Sequence, residues 1–345
     1  MDKIVNFLLE NAGPSIVYRT KKEIIEDISL RDEQAFQDKI LQEKDVKYIF
    51  EHVQADGWLG TCFHSRMRGA KWQDVCEAAL KFLAEKGVKL DNPIFEGVMK
   101  AYLARDRMDP IFDGCGKAED YRYPCIGFEF LRSAGIARCG YEIKIDISKD
   151  IDYSLNCFFN VLNFSSIDEV VYLDKCGKYC FKKDLSLWPC IYNLRILAFT
   201  KSWRTTDNIK KLANAVDHLL SFPAFKHPVY TKVKGYTQSP FGEFIRPIEE
   251  FDPGNVKGTW FNKMELFARC GIIPYSKRLL NEAALLKKTI HSEGICQAYI
   301  DESFFKNWGA YSGLKLEESW SKKVKKQCDI TFRALLILSY AEKIS

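Results

Sequence analysis

No stretch of about 18 consecutive uncharged apolar residues occurs in the sequence, which excludes a membrane-spanning helix. Long runs of one charge are also missing. The 51 Lys and Arg stand against 46 Asp and Glu, a net charge of +5, too weak and scattered to argue for nucleic acid or an anionic membrane. A polar, low-complexity composition is absent: 47% of residues are hydrophobic and 28% charged, which excludes extensive disorder. The first residues, MDKIVNFLLE, lack the basic start, long apolar run and small-residue cleavage site of a secretory signal. A cytoplasmic location is therefore expected. The twelve cysteines then read as reduced thiols, and Cys76, Cys157, Cys190 and Cys270 sit inside apolar helical runs as small hydrophobes.

Aromatic residues are plentiful: 24 Phe, 16 Tyr and 7 Trp. They fill a core or line a ligand cavity, since binding sites favour large apolar walls with few polar groups. The pattern along the chain is more telling. ALKFLAEKGV (79–88), FEFLRSAGI (128–136) and MELFARCGI (264–272) are apolar helical stripes ending at Gly87, Gly135 and Gly271. Each glycine is followed by Val88, Ile136 or Ile272, the arrangement of a left-handed helix stop with an apolar residue folding back on the last turn. A fourth stripe, WPCIYNLRILAFTKSW, has Lys201-Ser202-Trp203 in place of the glycine.

A second amphipathic segment follows each stop, at 92–105, 149–164, 205–222 and 274–291. Asn92-Pro93, Thr205-Thr206-Asp207 and Pro274 mark starts. Similar segments open and close the chain, making about six units of helix, tight turn, helix and longer loop, with VVYLD and KYCFKKD as a small hairpin in one loop. Periods of this size belong to stacked supersecondary units. The expected fold is all-α: an α/α toroid of about six helix pairs forming one domain over residues 1–345. An irregular bundle or an open α-solenoid would show the same periodicity.

The run Gln54-Ala55-Asp56-Gly57-Trp58-Leu59-Gly60 resembles the Gln…Gly-x-Trp repeat of squalene and terpenoid cyclases. Weaker echoes are Lys257-Gly258-Thr259-Trp260 and Asn307-Trp308-Gly309. With the helical units, the chain resembles the terpenoid cyclase and protein prenyltransferase superfamily. That resemblance implies a ring of helix pairs around a cavity for an isoprenoid or other apolar molecule. Neither the Asp-x-Asp-Asp acid motif nor the Asp-Asp-x-x-Asp motif of such enzymes is present. Asp113-Gly114-Cys115 spells the zinc-binding Asp-x-Cys pair of prenyltransferases, but the following helix begins only after Tyr123-Pro124. Where those proteins carry a ligand histidine, this chain has Cys328-Asp329. Neither a metal nor an organic cofactor is expected.

In a toroid, the loops before each inner helix and the first turn of that helix ring one mouth. This places Asp113, Asp120, Asp329 and His64 as candidate catalytic groups, and Trp58, Tyr121, Trp188, Trp260, Asn262, Trp308 and Arg333 as candidate ligand-binding groups. Paired aspartates suit a glycosidase, which holds two carboxylates about 5 to 10 Å apart; aspartates also cap helices. His64, in a loop, is the best placed histidine for acid–base work. Asp329 and Arg333, four apart on an apolar helix, share a face and can pair. Cys176 and Cys180 lack the second ligand pair of a zinc knuckle. Three readings follow: an apolar-ligand protein of the cyclase type with a small molecule in the central cavity, a cytosolic carbohydrate-active toroid, or a non-catalytic scaffold.

Overall fold

Helix stops and starts follow local chemistry closely. The computed structural model describes residues 2–60, 63–64, 70–104, 125, 129–223, 225, 227–233, 235–242 and 251–342. Among these the chain is mostly helical, with fourteen α-helices and one four-stranded sheet. The helices are α1 (Asp2–Asn11), α2 (Pro14–Arg19), α3 (Leu30–Leu41), α4 (Lys44–Glu51), α5 (Cys76–Lys86), α6 (Pro93–Leu103) and α7 (Glu129–Arg138). Then come α8 (Ser148–Asn160), α9 (Ile191–Phe199), α10 (Thr206–Ser221), α11 (Gly258–Cys270), α12 (Lys277–Lys288), α13 (Glu302–Lys306) and α14 (Lys323–Glu342). Backbone packing divides the chain into two compact units. The first comprises Met1–Arg107, Glu249–Ala268 and Leu279–Ser345; the second comprises Met108–Ile248 and Arg269–Arg278.

Gly87 ends α5 at φ +80°. The Gly87 amide donates to the Ala84 carbonyl and the Val88 amide to the Leu83 carbonyl, each at 3.1 Å. This is the paired bonding of a Schellman stop. Gly271 follows α11 at φ +74° in the same left-handed region. Gly135 does not stop its helix. α7 runs through it to Arg138, and the left-handed residue is Gly140 at φ +72°. A single glycine inside a helix costs only about 0.5–1 kcal/mol, and the good helix formers after it carry the helix on.

Where the fourth stripe lacks glycine, side chains take over. Trp203 Nε1 donates to the Leu197 carbonyl at 3.0 Å, and Arg204 donates to the carbonyls of Thr200 and Ala198. Two of the second helices, α6 and α10, start on side-chain caps. Asn92 Oδ1 accepts from the amides of Ile94 and Phe95, and Thr205 Oγ1 from Asn208. Pro274 lies in a short 3₁₀ turn, Ile273–Tyr275, so α12 begins later than the proline signals.

Burial alternates between the helices of each pair. In α5 and α9 nearly every described residue is buried. The α14 helix is buried without interruption from Cys328 to Ser339. By contrast α8, α10 and α12 bury one face only. In the first unit α14 packs against α1, so the two ends of the chain are neighbours. The α2 helix packs on α3 and is followed by a π-helical turn, Thr20–Ile25. In the second unit α9 packs against α7 and α8, and α8 against α10.

The expected hairpin is present as β1 (Val171–Leu173) and β2 (Tyr179–Phe181), with Val171 opposite Phe181. It is half of a larger sheet. β3 (Val229–Val233) joins β2 in parallel and β4 (Tyr236–Gln238) joins β3 antiparallel.

Two tests follow. Gly87→Ala meets both a left-handed backbone and the Tyr18 ring at 2.8 Å. It should destabilise the protein by at least about 1–2 kcal/mol. Gly97→Ala, in α6 with nothing within 4 Å of an added Cβ, should stabilise by about 0.5–1 kcal/mol. Denaturant melts of the two variants decide. Second, Glu33 accepts hydrogen bonds from Lys22 Nζ and Tyr18 Oη, and the Lys22 bond foremost holds its carboxyl down at about 2. Its contribution is complete above the ordinary value of 4.5 and is lost as pH falls through about 2. Lys22 is half exposed, so the pair is worth about 1 kcal/mol. Wild type should exceed Glu33→Gln by that margin at neutral pH and converge with it at the acid end.

Candidate functional site

The motif that resembles the cyclase repeat is a tight turn in the first unit, just after α4. The Gln54 amide donates to the Trp58 carbonyl, and Gln54 Nε2 to the Gly60 carbonyl at 2.9 Å. Gly57 and Gly60 are both at positive φ. A Cβ on Gly60 would sit 1.9 Å from the Asp74 carbonyl oxygen, so only glycine fits. Trp58 is buried beside Phe63, which stacks on Tyr102 with centroids 5.0 Å apart. The Glu77 amide donates to the Phe63 carbonyl, which seats the neighbouring His64 against the first turn of α5. His64 Nδ1 then lies 2.5 Å from Glu77 Oε2.

From Glu77 a charged stripe runs down α5 at helical spacing: Glu77, Lys81, Glu85, each at most 6% exposed. Lys81 Nζ donates to the carbonyls of Gly309 and Ser312 and lies 5.3 Å from the centre of the Trp308 ring. Trp308 packs edge-on against Phe82 at 4.8 Å and lies 5.9 Å from Trp72. Tyr311, partly exposed, meets the His64 ring edge-on at 5.7 Å. The result is an acid–base pair set in an aromatic rim. A carboxylate fixing one imidazole nitrogen sets the orientation of the ring.

Behind this rim lies a network of buried charged groups. Glu85 accepts from Arg19 and from Arg333, both at 2.8 Å, and Arg333 also donates to Glu265 at 2.9 Å. Arg333 further donates to the Leu314 carbonyl. Asp329 accepts from the amides of Leu316 and Glu317 and from Trp320 Nε1. Burial pushes the Asp329 carboxyl up, against those hydrogen bonds. Lys86 bonds Glu43 and the Leu316 carbonyl. Asp329 and Arg333 thus lie on the buried face of α14, but each faces the chain crossing at 309–320, and they serve that segment's backbone.

The remaining expected site residues are dispersed. Trp260 is buried with its indole N–H on Glu282, which also accepts from the Phe251 amide. Asn262 is buried in the same helix. In the second unit Trp188 is closed from solvent against Phe164 and Phe181, its Nε1 without a partner. Asp113, Asp120 and Tyr121 lie outside the described residues, as does Cys115. Cys176 is exposed and Cys180 buried in the hairpin. There Asp174 caps the turn and pairs with Lys232, whose hydrogen bond foremost holds its carboxyl at about 2. Among the described residues no group of three or more His, Cys, Asp or Glu could hold a metal ion.

Glu77, Lys81 and Glu85 escape the sequence reading because charges four apart on an apolar helix look like its solvent face. The available signal is that Glu77 and Lys81 sit in the run CEAALKFL, where too few positions remain for a wet side. No protein-family model, curated protein or solved structure matches this chain.

Replacing Arg333 by Met would leave Glu85 and Glu265 facing each other without their shared cation. Stability should fall by roughly 3–5 kcal/mol. Adding Glu85→Gln and Glu265→Gln should recover part of the loss in urea denaturation; no recovery would argue against charge as the cause.

Proposed function

We propose that this chain binds a mostly apolar small molecule at the aromatic rim around His64 and Glu77, on a toroid of the terpenoid cyclase kind. The His64–Glu77 pair among Trp72, Phe82, Trp308 and Tyr311 carries this reading. Aromatic faces supply apolar contact, and a single oriented imidazole supplies direction. The toroid is supported by the alternation of helices buried all round with helices buried on one face, and by the packing of α1 on α14. Because buried charged side chains and segment 309–320 lie behind the rim, the ligand sits at the mouth and not deep among the helices.

A carbohydrate-active reading needs two facing carboxylates. At the described rim Glu77 faces a histidine, and Glu85 and Glu265 are bridged by Arg333, so this reading has less support. The scaffold reading draws on one observation of its own, the buried charged network behind the rim.

A thermal-shift screen of prenyl diphosphates and prenyl alcohols against oligosaccharides tests the proposal. Stabilisation by the isoprenoids, with Trp308 fluorescence responding and the response lost in His64→Gln or Trp308→Ala, is the expected result. Stabilisation by oligosaccharides alone would move the assignment to the carbohydrate reading. No response to either class would leave the scaffold reading standing.

A further inference from the structure

The two segments that build the sheet of the second unit, 171–184 and 225–240, hold seven lysines against two aspartates and no glutamate, while the chain as a whole carries only +5. Asp168 and Glu169 precede the first segment, and Glu169 is turned to the amides of Ser165 and Ser166. Because β2 and β3 lie side by side, two lysine-bearing hairpins distant in sequence meet in one sheet.

Register decides which side chains share a face. Tyr172 of β1 lies opposite Cys180 of β2, and Cys180 lies beside Tyr230 of β3. Side chains two residues apart on a strand point the same way, which adds Lys178 and Lys182 to this face. Both flank β2 and stay in its ladder, the Lys178 carbonyl accepting from the Asp174 amide and the Lys182 amide donating to the Val170 carbonyl. Two cations thus stand about 13 Å apart along one line. Lys178 Nζ lies 5.3 Å from the centre of the Tyr230 ring, as a shared face requires. Cys180 is buried between the tyrosines, which remain partly exposed. The acid of this face, Asp174, is taken up by Lys232 at 2.9 Å and by the amides of Cys176 and Lys178. Among the described residues Lys178 and Lys182 enter no ion pair, so the face is complementary to an anion.

Shape narrows the class of anion. Since β2 and β3 are parallel, the turn before β2 and the turn after β3 lie at opposite ends of the sheet. The cations follow the strand and do not surround one protruding tip, as insertion into an anionic membrane would need. An acidic peptide would use the lysines and leave the tyrosine rings idle. A single-stranded nucleic acid uses both, its phosphates meeting lysine while its bases stack on aromatic faces.

We propose that this sheet face binds single-stranded nucleic acid, with phosphates on Lys178 and Lys182 and bases against Tyr172 and Tyr230. The site does not rest on the reading of the His64 rim. Fluorescence anisotropy of a labelled oligothymidylate of about 15 nucleotides, titrated with the full chain, tests it. The dissociation constant at low salt should be on the order of 10 µM. The double variant Lys178→Gln/Lys182→Gln, changed outside the core, should reduce the slope of log affinity against log salt by about 1.4. Tyr230→Ala should weaken binding roughly tenfold and leave that slope unchanged. No binding at about 100 µM protein in low salt overturns the proposal. So does duplex DNA, polyglutamate or a phosphatidylserine vesicle bound as tightly as the single strand, or a salt slope that the lysine variant does not alter.

Discussion

The first unit depends on one constraint: the segment 309–320 crosses buried helix faces without secondary structure of its own, so its backbone must find partners elsewhere. The amides of Gly313, Leu314 and Lys315 donate to the carbonyls of Phe304 and Phe305, and further partners are charged side chains. Lys81, Arg333 and Lys86 donate to the carbonyls of Gly309, Ser312, Leu314 and Leu316, and Asp329 accepts from the amides of Leu316 and Glu317. Two of these charges are in turn neutralised: Glu85 and Glu265 flank Arg333, and Glu43 meets Lys86. A buried ion pair gives little net stability over an apolar one of equal shape. Here its value lies in position, since no apolar residue could satisfy those carbonyls.

This explains how the rim is held. Lys81 fixes the loop that carries Trp308 and Tyr311, and Glu77, one turn earlier on the same helix, fixes His64. Rim and interior are two ends of a single charged stripe. A change at Glu85 would therefore reach the rim through the loop it helps anchor, without touching any ligand.

The helices were legible in the sequence wherever a local device ends or starts them. Gly87, Gly271, Asn92 and Thr205 act through their own backbone or side chain. Gly135 misleads because an interior glycine and a terminal one look alike when the following residues also favour helix. The hairpin was legible from two short strand-like runs, VVYLD and KYCFKKD. Its extension by β3 and β4 was not, because the parallel partner lies about 50 residues further on. For the site, His64 was legible from its loop position. Its partner was not, for a charge that faces inward and one that faces water have the same helical spacing. Asp329 and Arg333 were legible as neighbours on one face of an apolar helix. That they meet backbone instead of ligand depends on where 309–320 runs, which no local pattern records.

The pairing of α1 with α14, and the bridge from Arg19 through Glu85 to Arg333, also bear on the chain's history during synthesis. The helices α1 and α2 are made well before α14, against which both pack. Until residue 333 is free, Glu85 lacks one of its two arginines and the buried face of α2 lacks α14. Contacts this distant in sequence close late and slowly. The nascent chain must therefore keep an unfinished, charge-bearing seam exposed until α14 has been made.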